Sequence, residues 1–171
     1  MKYYKEIFLH NRGIFFILLV YFLLHLINLS LLPIFNDEAI YIDWGWLNIH
    51  LPGHLYDSLL DAKQPLMIWL FGIFGNLFSD PLFAGRFVSV LFGMGALVGI
   101  YKLTKYLFNS KIAVMASLIY SVVPIIFFYN RQALLESGVA CLGIWSGYAL
   151  LQVARSQTKK WSIILMTLER R

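Results

Sequence analysis

The chain has 171 residues, of which 60% are hydrophobic and only 13% are charged, and its formal net charge is +5. An ordinary soluble domain is about 45–50% apolar and about 25% charged, so part of this surface must face lipid. The basic residues stand in short clusters between apolar runs, without interleaved aromatic side chains, and this excludes nucleic acid as the expected partner. The single cysteine, Cys141, lies in an apolar run and suggests neither an internal disulfide nor a metal site.

Apolar stretches of suitable length predict membrane-spanning helices, which need roughly 20 residues each. The predicted spans lie at about 13–35, 82–101, 112–130 and 134–154. The first span is longer than the apolar core of a secretory signal and has no small-residue cleavage site, so we expect it to be retained. Pro124 predicts a kink in the third span. A further apolar run starts at residue 161 and stops after eight residues, so we expect a chain cut off within a longer helical domain.

The apolar segment from Pro65 to Phe78 is only 14 residues long, and the basic residues indicate how it lies. Cytoplasmic loops are enriched in Lys and Arg close to the membrane. The three basic clusters fall on one side only if this segment does not cross; they are Lys2/Lys5/Arg12, Lys102/Lys105/Lys111 and Arg155/Lys159/Lys160. We therefore predict that 65–78 is a helix at the outer interface and that the acidic residues of both outer loops face away from the cytoplasm.

The expected fold is all-α, a polytopic membrane helix bundle with interfacial helices at about 37–50 and 65–78 in its first outer loop. Two pairs of small residues predict close packing of helices inside this bundle. The pairs are Gly95-x-x-x-Gly99 and Gly143-x-x-x-Gly147.

The loop that follows the first span begins with the sequence Asn36-Asp37-Glu38. In a purely structural interpretation Asn36 is the N-cap of a helix, and the two acids are favoured in the first turn by the helix dipole. Tyr41, Trp44 and Trp46 are then aromatic anchors at the membrane interface. In a functional interpretation the carboxylates are proton acceptors at the depth of a lipid headgroup.

Four short motifs occur in a characteristic order along the chain. They are Asp-Glu-x-x-Tyr from Asp37, Lys-x-Pro-Leu from Lys63, Ala-Gly-Arg-Phe at 84–87 and Arg-Gln-Ala-Leu-Leu-Glu at 131–136. In this order the chain, from about Phe35 to Ala154, resembles the GT-C glycosyltransferases. It is most similar to the protein mannosyltransferase and aminoarabinose transferase superfamily, which usually has Lys-Pro-Pro-Leu where this chain has Gln64. Residues 1–171 would be the amino-terminal part of such a transmembrane domain.

The resemblance implies roles for named residues. Asp37 occupies the position of the catalytic aspartate, with Glu38 as its companion, and Glu136 matches a second acidic position. That second acid helps to hold a divalent metal in some branches, and other branches need no metal, so the cofactor stays open. The outward cations Lys63, Arg86 and Arg131 are candidates for binding the donor phosphate. In the alternative interpretation, these three long side chains only extend to the membrane interface, where their charges reach water.

The predicted function is transfer of a sugar, with inversion, from a polyprenyl-phosphate donor to an acceptor hydroxyl on a protein, lipid or glycan. The enzyme would be an integral multi-pass protein of the plasma (inner) membrane, in contact with membrane lipid, with its active site facing outside. One alternative is a non-catalytic remnant of such an enzyme. The other is a transporter of a lipid-linked substrate, which is disfavoured because the charges cluster at span ends rather than near the midplane.

Overall fold

The structure, a computed structural model, describes residues 12–155, and within them every regular element is helical. The helices are α1 (Arg12–Leu26), α2 (Asn36–His50), α3 (Pro65–Gly75), α4 (Pro81–Leu107), α5 (Ser110–Val122), α6 (Pro124–Tyr129) and α7 (Glu136–Arg155), with a 3-10 turn at Asp57–Asp61 between α2 and α3. The all-α prediction is confirmed. The apolar run that starts at 161 lies outside the described residues.

Helices α4 and α7 are long and apolar enough to cross a membrane by length and composition, with mean hydropathies of 1.8 and 1.3. Helices α1, α3 and α5 are apolar but shorter. A multi-pass arrangement therefore stays a prediction for this part of the chain.

Several helix ends differ from the predicted ones. The chain leaves α1 after Leu26, well before residue 35, and Asn28 takes a left-handed conformation (φ 52°). The stretch 112–130 is divided at Val123, because Pro124 lacks the N–H that would continue α5 and instead begins α6. The N-cap of α2 is Phe35, one residue before the predicted Asn36.

Helix α4 lies at the centre and packs against α1, α3, α5 and α7. Its first half contacts the connections that precede α2 and α7, because Arg86 binds Leu32 and Gly85 lies against Ala133. At its other end the Tyr106 ring lies under the Arg155 guanidinium. Helices α4 and α7 therefore run parallel, with the acid-bearing loops at one end.

The predicted Gly95/Gly99 pair of α4 is used for packing, whereas no described residue packs against the Gly143/Gly147 pair of α7. A side chain at Gly99 would meet Ile144 at 2.8 Å, and Gly95 lies against Cys141 and accepts a hydrogen bond from Trp145. Apart from the adjacent residues and the backbone of α7 itself, no atom of the described residues lies within 4 Å of where a Cβ of Gly143 or Gly147 would be. Only the first of the two predicted small-residue pairs makes a helix contact in this part of the chain.

A direct backbone contact joins α2 and α3. A Cβ added at Gly45 would lie 2.7 Å from the Gly72 nitrogen, and one at Gly72 would overlap the Gly45 carbonyl. The absence of both side chains lets the two helices approach at van der Waals distance of their backbones. This contact holds α2, and with it the acidic motif, against α3.

We expect Gly72→Ala to lower the stability of the protein, because the added methyl group must push the two helices apart, at a cost of about 1–3 kcal/mol. The matched control is Gly143→Ala, where the new methyl group meets open space and alanine is the better helix former by up to about 1 kcal/mol. Thermal unfolding of both variants in detergent micelles measures the difference. Equal midpoints for the two variants would contradict the backbone contact.

Candidate active site

The predicted residues Glu38 and Arg86 form a buried ion pair in which both side chains are fully shielded from solvent. Arg86 Nε donates to Glu38 Oε1 at 2.8 Å, and Arg86 Nη2 donates to Oε2 at 2.7 Å. This is the bidentate geometry in which a guanidinium and a carboxylate bind most strongly.

The remaining donors of Arg86 are also occupied. Its Nη1 donates to the carbonyls of Leu29 and Leu32 at 2.9 Å each, and its Nη2 donates to the carbonyl of Pro33 at 3.1 Å and to Gln132 Oε1 at 3.3 Å. Every N–H of the guanidinium thus has a protein acceptor.

Glu38 is satisfied in the same way by two backbone amides. The N–H of Phe35 donates to Oε2 at 3.0 Å, and the N–H of Ala133 donates to Oε1 at 2.6 Å. The pair therefore joins three parts of the chain, namely the α1–α2 connection, the first half of α4 and the loop before α7. Because neither side chain has exposed surface or a spare donor, this geometry disagrees with direct substrate contact by Glu38 or Arg86.

The local sequence brings these groups into register. Asp80 Oδ1 accepts a hydrogen bond from the N–H of Leu82 at 2.9 Å, and Pro81 starts α4, so that Arg86 falls at the level of the α1–α2 connection. Gly85 lets the loop before α7 approach, since a Cβ there would lie 2.8 Å from that of Ala133.

A groove of about 440 Å³ opens beside this network, between α2, the segment before α3 and the start of α7. Its polar lining consists of Tyr41, Lys63, Gln64 and Glu136. The apolar lining is Ala62, Leu135, Val139 and Ala140. One concave surface thus carries an ammonium group, a phenol, an amide and a carboxylate.

Electrostatic interactions connect Asp37 to this groove. Burial raises the pKa of the Tyr41 hydroxyl, the Lys63 ammonium opposes that shift, and the carboxylates of Asp37 and Glu136 add to it. The pKa of Lys63 is raised chiefly by its electrostatic interaction with Tyr41, and further by Asp61 and Asp37. Tyr41 therefore stays protonated and Lys63 stays cationic at neutral pH.

Arg131 lies apart from the groove and completes the end of α1. Its Nη1 donates to the carbonyl of Leu24 at 3.0 Å, and its Nη2 donates to those of Ile27 at 2.8 Å and Asn28 at 3.0 Å. Cations are favoured at a helix carboxyl end, where the last carbonyls lack partners within the helix. The structure therefore gives Arg131 a capping role.

The described residues contain no group of three or more His, Cys, Asp or Glu side chains that could hold a metal ion. Asp37 and Glu136 both influence Tyr41, but two carboxylates are few for a divalent cation that prefers six or more oxygen ligands. We therefore derive no chemistry from a metal.

Of the six residues predicted from the sequence, the structure places Lys63 and Glu136 on one groove and Asp37 within electrostatic reach of it. Tyr41 is the groove residue to which the sequence analysis gave no chemical role, although it belongs to the motif that starts at Asp37; in the structural interpretation it was a membrane anchor. Its position one helical turn after Asp37 is a signal that could have revealed it, because residues four apart share a helix face.

We expect Glu38→Gln to destabilise the protein by about 3–5 kcal/mol, because it leaves the buried Arg86 charge without a counter-charge. The double variant Glu38→Leu/Arg86→Leu tests the network further. The two leucines remove both charges, but they leave three backbone carbonyls and two backbone amides without hydrogen-bond partners. We therefore expect the double variant to stay clearly less stable than the wild type. Thermal unfolding in detergent measures both, and wild-type stability of the double variant would show that the backbone partners do not matter.

The family model described as dolichyl-phosphate-mannose-protein mannosyltransferase matches residues 62–168, more than half of the sequence. The match includes Lys63, Arg86, Arg131 and Glu136 and begins after the Asp37-Glu38 motif. No curated protein and no solved structure matches this chain. The chain belongs to the dolichyl-phosphate-mannose-protein mannosyltransferase family, and it is thus a membrane glycosyltransferase of the GT-C type by family.

Proposed function

We propose that this protein transfers a sugar, with inversion at the anomeric carbon, from a polyprenyl-phosphate donor to an acceptor hydroxyl on the non-cytoplasmic side of the plasma membrane. The observation that carries the proposal is the convergence of Lys63, Tyr41 and Glu136 on one groove beside Asp37. Family membership supports the reaction class, and the groove supports the assignment of roles.

Asp37 is the general base. Its side chain is partly exposed, whereas the adjacent Glu38 is fully buried, so only the first of the two acids can meet an acceptor. The acceptor hydroxyl loses its proton to Asp37 as its oxygen attacks the anomeric carbon, and the bond from that carbon to the phosphate oxygen breaks. The products are the new glycoside and the lipid phosphate.

Lys63 stabilises the departing phosphate. Its ammonium is the cation that lines the groove, and negative charge grows on the phosphate as the glycosidic bond breaks. Tyr41 lines the same groove, and its electrostatic interaction with the Lys63 ammonium favours keeping that charge at the groove. Tyr41 is thus a positioning residue for Lys63.

Glu136 lies on the same groove and is exposed, and its carboxylate is suited to accept hydrogen bonds from hydroxyl groups of the donor sugar.

Glu38 and Arg86 act indirectly, by positioning the residues near them in the chain. Glu38 follows Asp37 directly in α2, and Gln132, bound by Arg86, lies four residues before Glu136 in the loop that leads into α7. The ion pair therefore sets the separation of the two exposed carboxylates.

A lipid-linked donor fits a reaction outside the cytoplasm. Nucleotide sugars stay in the cytoplasm, so a sugar used on the other side of the membrane must arrive on a carrier that crosses it. The acid-bearing loops lie at the end of α4 opposite Lys102 and Lys105, and Lys and Arg mark the cytoplasmic end of a span.

We expect Asp37→Asn to lower kcat by about 100-fold or more, because an amide cannot accept the acceptor's proton. The matched control is Asp80→Asn, which removes a carboxylate near the same end of α4 and keeps an oxygen for the N-cap of that helix. The assay is sugar release from a synthetic polyprenyl-phosphate donor by purified full-length protein. Full activity of Asp37→Asn would refute its role, and no turnover by the wild type would favour the non-catalytic remnant.

We expect Lys63→Met to lower kcat/KM for the donor by at least about tenfold, since it removes the charge that stabilises the phosphate. Tyr41→Phe keeps that charge but removes the hydroxyl that interacts with it, so a smaller loss is expected. The exposed Lys111, at the other end of the helices, provides the control variant Lys111→Met. Equal donor kinetics for Lys63→Met and Lys111→Met would place the phosphate elsewhere.

A further inference from the structure

A second cavity of about 290 Å³ lies on the opposite face of α2, between that helix, α3 and the first residue of α4. Its apolar lining includes Ile34, Ile42, Phe71 and Pro81, and its polar side chains are Asp43, Asn76 and the indole of Trp46. Asp43 and Trp46 are on the face turned away from Asp37 and Tyr41, so this cavity is separate from the groove.

The surroundings of this cavity favour an occupant with a hydrocarbon part. Trp46 and Ile34 are about half exposed, and the nearby Leu77 has 72% of its surface exposed. Large apolar side chains that are exposed together at an interfacial helix pair face lipid more favourably than water. An apolar cavity that opens among them takes up an acyl chain, whereas a free sugar or a small polar ion gains nothing from such walls.

The polar groups select the headgroup. Asp43 is exposed at the edge of the cavity, and the described residues give its carboxylate no ion-pair partner. No basic side chain is among the described residues that line the cavity. A carboxylate without a counter-charge attracts a cation and repels an anionic headgroup. The amide of Asn76 supplies hydrogen-bond donors for a phosphate oxygen of the same molecule.

From this combination we propose that the cavity binds a zwitterionic phospholipid with a primary amine, its ammonium on Asp43, its phosphate near Asn76 and part of an acyl chain between α2 and α3. The site is independent of the proposed transfer reaction. A lipid bound there fills the space behind α2 and stabilises the helix that carries the catalytic motif.

The test is a titration of the full-length protein in detergent with dihexanoyl phosphatidylethanolamine, followed by tryptophan fluorescence in buffer with EDTA and without any sugar donor. We expect a saturable spectral change that is lost in Trp46→Phe. Loss of the charge-assisted hydrogen bond in Asp43→Asn should weaken apparent binding by roughly tenfold. Asp80→Asn, which removes a carboxylate outside the cavity, should titrate like the wild type.

A second variant keeps the test valid if the Asp43→Asn protein does not fold. Ala39→Leu fills the cavity while leaving Asp43 in place, and it should abolish the saturable signal. The proposal is overturned if dihexanoyl phosphatidylglycerol gives the same titration as the amine lipid, or if Asp43→Asn or Ala39→Leu binds like the wild type. Because no sugar transfer is measured, failure here leaves the proposed glycosyl transfer to be judged by its own assay.

Discussion

The arrangement of this part of the protein depends on one buried ion pair, between Glu38 and Arg86. Moving two charges out of water costs several kcal/mol each, and their attraction compensates for this only when every remaining donor and acceptor is also satisfied. That condition is met here by three backbone carbonyls, two backbone amides and one side-chain amide. The network has one geometry in which all partners are bound, and so it determines how the irregular segments before α2 and α7 lie against α4.

The second constraint is the glycine contact between α2 and α3. Since neither Gly45 nor Gly72 has a side chain, the two helices touch through their backbones, and α2 has two usable faces. One face carries Asp37 and Tyr41 toward the groove with Lys63 and Glu136, and the other carries Asp43 and Trp46 toward an apolar cavity. The helix is anchored in its first turn by the ion pair and further along by the glycine contact, which leaves both rows of functional groups accessible.

These constraints explain how one helix can serve a reaction at a lipid boundary. In the proposed mechanism the base, the phosphate-binding cation and the second acid must be held at one place, although Asp37, Lys63 and Glu136 come from three separate segments of the chain. Preorganised charges stabilise a transition state because they need no rearrangement during the reaction. In our proposal the buried pair provides this preorganisation, and the residues next to it provide the chemistry.

The sequence by itself determined the helical class, the extent of α2, the break at Pro124 and the family, because hydrophobic runs, proline geometry and short motifs are local properties of the chain. It also named the six candidate site residues. Only the tertiary structure separated their roles, since burial and partners depend on segments that are distant in the sequence. Asp37 and Glu38 are neighbours with the same chemistry, but only Glu38 meets Arg86, 48 positions away, and is shielded from solvent. The cations Arg86 and Arg131 both resemble phosphate ligands in sequence, yet backbone carbonyls that no sequence pattern reveals occupy their donors.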